Sequence, residues 1–256
     1  GEALPRVGVR LKGRSGSYRD LEGKAGFKLD LDRYDDDARL LGVRKLNLGN
    51  MVVDCSMAKE WLAWSVARGA EVPALRLDYA ELWVNDELWG LYLLVEAIDR
   101  DYLDARWTHG EGNLYDGDYV QLDSGFESQV DFDPETQDFF DLDEGEDVGR
   151  ADVHAVTAAL DAHEGTPDFF GSLETVVEWS ELLRVLAWEQ WVGQVDGYGL
   201  QANNYRVYFD PQDGRAELIP WDADYSFIPE QEWESSWRER WLAEQGFGEH
   251  DQHDDP

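Results

Sequence analysis

The stretch Ala216–Phe227 (Ala-Glu-Leu-Ile-Pro-Trp-Asp-Ala-Asp-Tyr-Ser-Phe) sets an acid, Asp222, inside an apolar frame. Leu218–Trp221 precede it and Tyr225–Phe227 follow it. Such a frame draws the carboxylate inward, and a buried carboxylate needs a cation or hydrogen-bond donors. Any fold of this chain must bring such groups to Asp222. Acid-x-acid pairs recur at Asp30/Asp32, Asp35/Asp37, Asp116/Asp118, Asp131/Asp133 and Asp141/Asp143, so the pair alone carries little. The flanks single out Asp222; Asp224 either assists it or faces solvent.

Upstream lie Val195-Asp196-Gly197-Tyr198 and Asn203-Asn204-Tyr205-Arg206-Val207-Tyr208-Phe209. An acid, an amide and a second acid thus flank two short β-like runs. Phosphoryl transfer uses such a set: one carboxylate orients a hydroxyl, and an amide with a second carboxylate holds magnesium. Taken as residues alone, Asp196 also reads as a helix-ending acid before a glycine, and the two Asn as turn residues.

The formal net charge is −34, which argues against nucleic acid as a partner. The charge is uneven. Residues 1–50 carry 11 Lys and Arg against 8 Asp and Glu, a net of +3; the remainder carries 11 against 48, a net of −37. A weakly basic segment in so acidic a chain suits an anionic ligand. Cys55 is the single cysteine, which excludes an intramolecular disulfide and a thiolate cluster; it reads as a small half-buried residue. The five histidines lack metal-ligand spacing. No apolar run reaches membrane-spanning length. No signal peptide is visible and the first Met is Met51, which reads as a processed or trimmed piece.

Alternation predicts strands at Arg6–Lys12, Gly26–Leu31 and Arg44–Leu48, with a turn at 13–17. Asp54 or Ser56 caps a helix running to about Arg68, with Met57, Trp61, Leu62 and Ala67 as its stripe. A hairpin follows, Leu75–Val84 and Leu88–Val95 across Asn85-Asp86-Glu87. Helices are expected at 99–107, 151–163 and 179–194. Residues 122–149 hold eleven acids and no base, and read as a solvated loop or insertion. Trp233, Trp237 and Trp241 form a helical stripe, and the tail from 246 to 256 reads as disordered. The order is a β-rich part, then a helix-rich part with a small hairpin.

These pieces resemble the spore-coat protein H (CotH) family of atypical kinases. The matching segments are Val9–Ser17, Lys24–Leu29, Arg44–Leu48, Asp54 with Lys59–Ala63, Leu88–Glu96, Gly112–Tyr115, Asp196–Tyr198, Asn204-Tyr205 and Ile219–Asp224. The resemblance implies an α+β, two-lobed protein-kinase-like fold, with a β-rich N-lobe over 1–96 and a helix-rich C-lobe over 97–245. It also implies ATP with Mg²⁺ or Mn²⁺, a protein Ser/Thr substrate, and a secreted, surface or lipoprotein-anchored location. An acidic enzyme would favour a basic protein substrate. By the same resemblance Asp196 would orient the hydroxyl and accept its proton. Asp222 and Asn204 would hold the metal, with Asn203 the alternative amide and Asp224 an assistant. Lys28 would hold the α- and β-phosphates and pair with Glu60, while Arg10, Lys12 and Arg14 would add phosphate contacts. Glu96 would sit near the adenine edge, the backbone of 96–98 making the direct contacts. In the family the amide commonly follows the acid by five positions, whereas Asn204 follows Asp196 by eight. Two other readings fit the residues: transfer of another group such as adenylyl, and a non-catalytic acidic binding module. The oligomeric state is not legible.

Overall fold

A computed structural model describes residues 4–13, 16–117, 119–121 and 127–228. The first half builds β1 (Gly8–Lys12), β2 (Gly26–Asp30), β3 (Lys45–Gly49), α1 (Lys59–Gly69), β4 (Leu77–Val84) and β5 (Glu87–Glu96). The strands form one antiparallel sheet in the order β1-β2-β3-β5-β4. Asn85 and Asp86 close the β4–β5 hairpin with φ of 50° and 67°. A two-residue hairpin turn demands such positive angles, and Asn and Asp tolerate them.

Cross-strand register decides what each sheet face carries. Arg10 opposes Lys28, and Lys28 opposes Asn47. Side chains alternate along a strand, so Arg10, Lys12, Lys28 and Asn47 share a face. The opposite face carries Phe27, Leu29, Leu48, Tyr92 and Leu94, which pack together.

The loop before α1 is tied by Asp54, whose carboxylate accepts the backbone N–H of Ser56 (2.9 Å) and of Lys59 (2.7 Å). The buried stripe of α1 is Ala63, Trp64 and Ala67. Trp61 and Leu62, expected in that stripe, are 39% and 47% exposed. The helix is rotated because Trp64 stacks on Trp188 with ring centroids 5.1 Å apart, and Trp188 Nε1 donates to Ala63 O.

The second half contains α2 (Arg100–Asp104), β6 (Asn113–Asp116), β7 (Tyr119–Gln121), β8 (Glu127–Gln129), β9 (Asp141–Glu144), α3 (Ala151–His163), α4 (Phe169–Leu173), α5 (Trp179–Val192), α6 (Tyr198–Gln201), β10 (Tyr205–Phe209) and β11 (Ala216–Pro220). A second sheet runs β11-β10-β6-β9, and β7 pairs with β8. One continuous core joins the halves, including Trp64, Leu93 and Val95 from the first and Tyr115, Val185, Val207 and Ile219 from the second. The fold is α+β.

The acidic stretch 122–149 differs from the expected solvated loop. Its described part supplies β9 to the second sheet and buries Val130, Thr136 and Phe140. Apolar residues interspersed among the acids give it a core-facing side, and one acid, Asp131, also turns inward to accept the Tyr198 hydroxyl (3.1 Å). The Trp233–Trp241 stripe and the tail lie outside the described residues. Among the described residues no helix is long and apolar enough to cross a membrane. Cys55 is exposed rather than half-buried.

Candidate functional site

After β11 the chain turns through Trp221-Asp222-Ala223-Asp224. The Trp221 N–H donates to Asn204 O (2.7 Å), and the Gln194 side chain donates to Asp222 O (2.8 Å). Asp222 adopts a φ of +46°, a left-handed conformation that Asp tolerates better than most residues. Its carboxylate meets Lys12 at the end of β1, with Nζ 3.5 Å from Oδ2. Lys12 Nζ also lies 5.4 Å from the centroid of the Trp221 ring. The cation that an acid in an apolar frame requires thus comes from the first strand.

Two more acids join this pair. Glu60, in the first turn of α1, accepts the Trp64 indole N–H (3.3 Å) and an N–H from Ala223. Burial and the Asp222 charge push the Glu60 carboxyl up to about 7, although Lys12 pulls the other way. Asp224 is raised well above the usual carboxylate range by burial, then by Asp222 and Glu60, with a contribution from Asp196. Burial opposes the Lys12 charge, yet Asp222, Glu60 and Asp224 outweigh it and hold the ammonium above its ordinary value.

Asp196 follows α5 and its left-handed Gly193 cap. Its carboxylate accepts from Asn203 Nδ2 (3.0 Å) and Asn204 Nδ2 (2.9 Å), and its carbonyl also accepts from Asn204 Nδ2 (2.8 Å). Both amides, expected to compete as metal ligands, therefore hold the acid through their nitrogens. The eight-residue spacing is explained by α6, a single helical turn between acid and amides. The buried Glu189 carboxylate accepts the first two amides of that turn, Tyr198 N (3.0 Å) and Gly199 N (2.8 Å). A Cβ at Gly197 would lie 2.5 Å from Glu189 Oε1, so a side chain there would displace the carboxylate that holds this turn.

Two cavities open on the polar face of the first sheet. The smaller, about 30 Å³, is lined by Lys12, Glu60, Asp222 and Asp224 together with Asn50 and Gly13. Asn50 is buried, and its amide donates to Ser17 O (2.8 Å) and Lys24 O (2.9 Å), anchoring the glycine-serine turn. The larger, about 570 Å³, is lined by Arg10, Lys28, Asn47, Asp99, Arg206 and Trp221, among others. Asp222 and Lys12 line the smaller cavity, and the adjoining Trp221 lines the larger.

Several expected placements change. Glu60 faces Lys12, not Lys28. The register puts Lys12 opposite Gly26 at the α1 end of the sheet, while Lys28 lies opposite Arg10 in the larger cavity. There burial, then Arg10, Arg206 and Lys12, lower the Lys28 ammonium. Glu96 is not free for a ligand: its buried carboxylate binds Arg76 (2.5 Å) and Arg106 (2.7 Å). Ala97 and Ile98 do line the larger cavity. Arg14 lies outside the described residues. Sequence reading missed Gln194, Glu189 and Asn50, whose roles rest on contacts that no local pattern signals.

Among the described residues no three acidic, histidine or cysteine side chains form a ready-made metal cage. Magnesium characteristically takes one or two carboxylates plus substrate phosphates rather than an all-protein cage. The oxygens of Asp222 and Asp224 suit it. Burial first, and then repulsion from neighbouring acids, raises the proton affinities of Glu60 and Asp224, and a divalent cation would relieve the repulsive part.

The family model described as CotH kinase protein matches residues 9–253. The inner spore coat protein H of Bacillus subtilis (strain 168) is 24% identical over 186 residues, covering 72% of this chain and 50% of that relative. The chain spans about half the length of the curated relative it matches. With a family match running over nearly the whole sequence, this protein belongs to the CotH kinase protein family.

Proposed function

We propose that this protein is a phosphotransferase that moves the γ-phosphoryl group of ATP to a Ser or Thr hydroxyl of a protein, with Mg²⁺ as the metal. The observation that carries this reading is the Lys12–Asp222 pair, set with Glu60 and Asp224 beside a 570 Å³ cavity that bears Arg10, Lys28 and Arg206. Cations on one wall and acids at its end suit a metal-bound polyphosphate. The stretch Ala97–Ile98 supplies an apolar end for a base. The two halves would act as the lobes of a kinase-like cleft.

Asp222, assisted by Asp224, would hold the metal, which neutralises phosphate oxygens when bound. Lys12, kept charged by the acids around it, would contact the phosphates from β1, and Lys28 and Arg10 would extend that contact. Asp196, fixed by Asn203 and Asn204, would orient the hydroxyl and accept its proton. The new bond forms between that oxygen and the γ-phosphorus, and the bond from phosphorus to the ADP oxygen breaks. Positioning and charge do most of this work, so the fixed Asp196 carboxylate matters more than its proton affinity. The net charge of −34 favours a Lys/Arg-rich protein as acceptor. The spore-coat relative favours a surface or coat location.

Incubation with labelled ATP, Mg²⁺ and histone tests the reading, with mass analysis of the product. Transfer of a phosphate that is lost in Asp196→Asn supports it. An added nucleotide in place of phosphate would assign nucleotidyl transfer instead. No transfer and no Mg²⁺-dependent binding of ATP would overturn it.

A further inference from the structure

Gln194 is 2% exposed and occupies the loop between the end of α5 and Asp196. Its Nε2 donates to the carbonyl of Asp222 (2.8 Å), while its Oε1 accepts the backbone N–H of Asp196 (3.3 Å). One side-chain amide therefore bridges the backbones of the two acids on which the proposed reaction depends. The bridge is directional. It needs a donor and an acceptor held side by side, as a carboxamide carries them on one carbon.

The surroundings explain why a bridge is needed here. Asp222 sits at a φ of +46° in a turn without helix or strand hydrogen bonds, and Asp196 lies between the left-handed Gly193 and the short α6. Neither loop is fixed by regular structure. Val195 N donates to Tyr225 O (3.4 Å) and Phe227 N donates to Val192 O, so the two loops run side by side. Within that pairing the Gln194 side chain reaches the backbones of both acids.

We propose that Gln194 is a positioning residue that sets the separation and orientation of Asp196 relative to Asp222, so that the hydroxyl-orienting acid and the metal-holding acid stay in register. This rests on the phosphotransferase reading above. Loss of the bridge leaves each loop its own anchors: Asn203 and Asn204 on Asp196, and Lys12 and the Trp221 N–H bond beside Asp222. The nucleotide wall on β1 and β2 is untouched. Gln194 therefore acts on turnover more than on nucleotide binding, because displacements of about 1 Å cost on the order of 100-fold in rate.

The test compares wild type, Gln194→Met and Gln194→His, with Asp196→Asn as the reference for lost chemistry. Methionine keeps length and volume but removes both hydrogen bonds; histidine keeps one donor and one acceptor. Initial rates with labelled ATP, Mg²⁺ and histone are measured alongside the thermal shift caused by a non-hydrolysable ATP analogue with Mg²⁺. In Gln194→Met, kcat is expected to fall at least tenfold with KM for ATP within threefold. The analogue still raises the melting temperature, and Gln194→His recovers part of the rate. Equal kcat per folded molecule in wild type and Gln194→Met overturns the assignment, as does a loss of rate matched by loss of analogue binding. If Gln194→Met does not fold, Gln194→Leu, which also lacks both hydrogen bonds, decides by the same split of kcat from KM. Wild-type transfer that persists in Asp196→Asn overturns the phosphotransferase roles themselves, and the Gln194 assignment with them; Asp196-dependent transfer with unaltered Gln194 variants overturns only the latter.

Discussion

Lys12 Nζ lies 3.5 Å from Asp222 Oδ2, joining the first strand of the chain to the loop after its last described strand. The contact places a cation among Asp222, Glu60 and Asp224, where burial alone would favour a neutral amine. Lys28, two residues from Gly26 on the neighbouring strand, stands apart in the larger cavity.

The two lysines should therefore fail differently. Lys12→Met removes the charge beside the acid proposed to hold the metal, and kcat/KM is expected to fall about 100-fold. Lys28→Met keeps the acid cluster and is expected to raise KM for ATP about tenfold with a smaller change in kcat. Initial-rate kinetics on both variants separate them; the reverse pattern would restore Lys28 as the principal phosphate contact.

The left-handed backbone at Asp222 makes the choice of substitution matter. Asp222→Asn keeps a residue that tolerates φ of +46°, while Asp222→Ala adds a backbone cost of about 1 kcal/mol. Urea titration is expected to show the alanine variant less stable by that amount. Both variants should lose the Mg²⁺-dependent part of ATP stabilisation in a thermal-shift experiment.

Glu96 is 3% exposed and bound by two arginines, so it belongs to the framework. Glu96→Gln leaves Arg76 and Arg106 without their shared charge and is expected to cost about 3 kcal/mol of folding stability. KM for ATP should not change in the folded fraction. A raised KM with unchanged stability would return Glu96 to the nucleotide site.

Glu181, on α5 away from the acids of the site, is buried beside Arg184 (2.9 Å) with its other oxygen unpartnered. Burial first, then Glu217 and Glu178, push its carboxyl up to about 7 against the pull of Arg184. The folded state therefore binds the proton more tightly than the unfolded chain. This group's contribution is fully present below about 4.5, the unfolded value, and is lost as pH rises through about 7. Glu181→Gln should flatten that part of the profile and gain on the order of 2 kcal/mol over wild type at pH 8. Urea denaturation at pH 5 and pH 8 measures it; an identical pH dependence in both proteins would contradict it.

Much of the local structure is legible in the residues. Alternation around Lys28 marks β2, Asn85-Asp86 marks the hairpin turn, and Asp99 marks the start of α2, where it accepts the N–H groups of Asp101 and Tyr102. The segment 122–149 misleads because its charge hides a sparse apolar pattern, Val130, Phe132, Phe140 and Leu142, that suffices to seat β9. α1 turns a different face inward because Trp188, far along the chain, offers a stacking surface to Trp64.

The sequence by itself determined that Asp222 would need a cation, that Asp196 and the two asparagines would lie near the second hairpin, and that the first segment would be weakly basic. These follow from local hydropathy, local turn chemistry and charge count. Only the tertiary structure decided that the cation is Lys12, that the asparagines hold Asp196 by their nitrogens, and that Gln194 bridges the two acids. Those choices depend on strand register and on the side-by-side run of two loops. A one-residue change of register exchanges the faces of a strand while leaving its own pattern of residues unchanged.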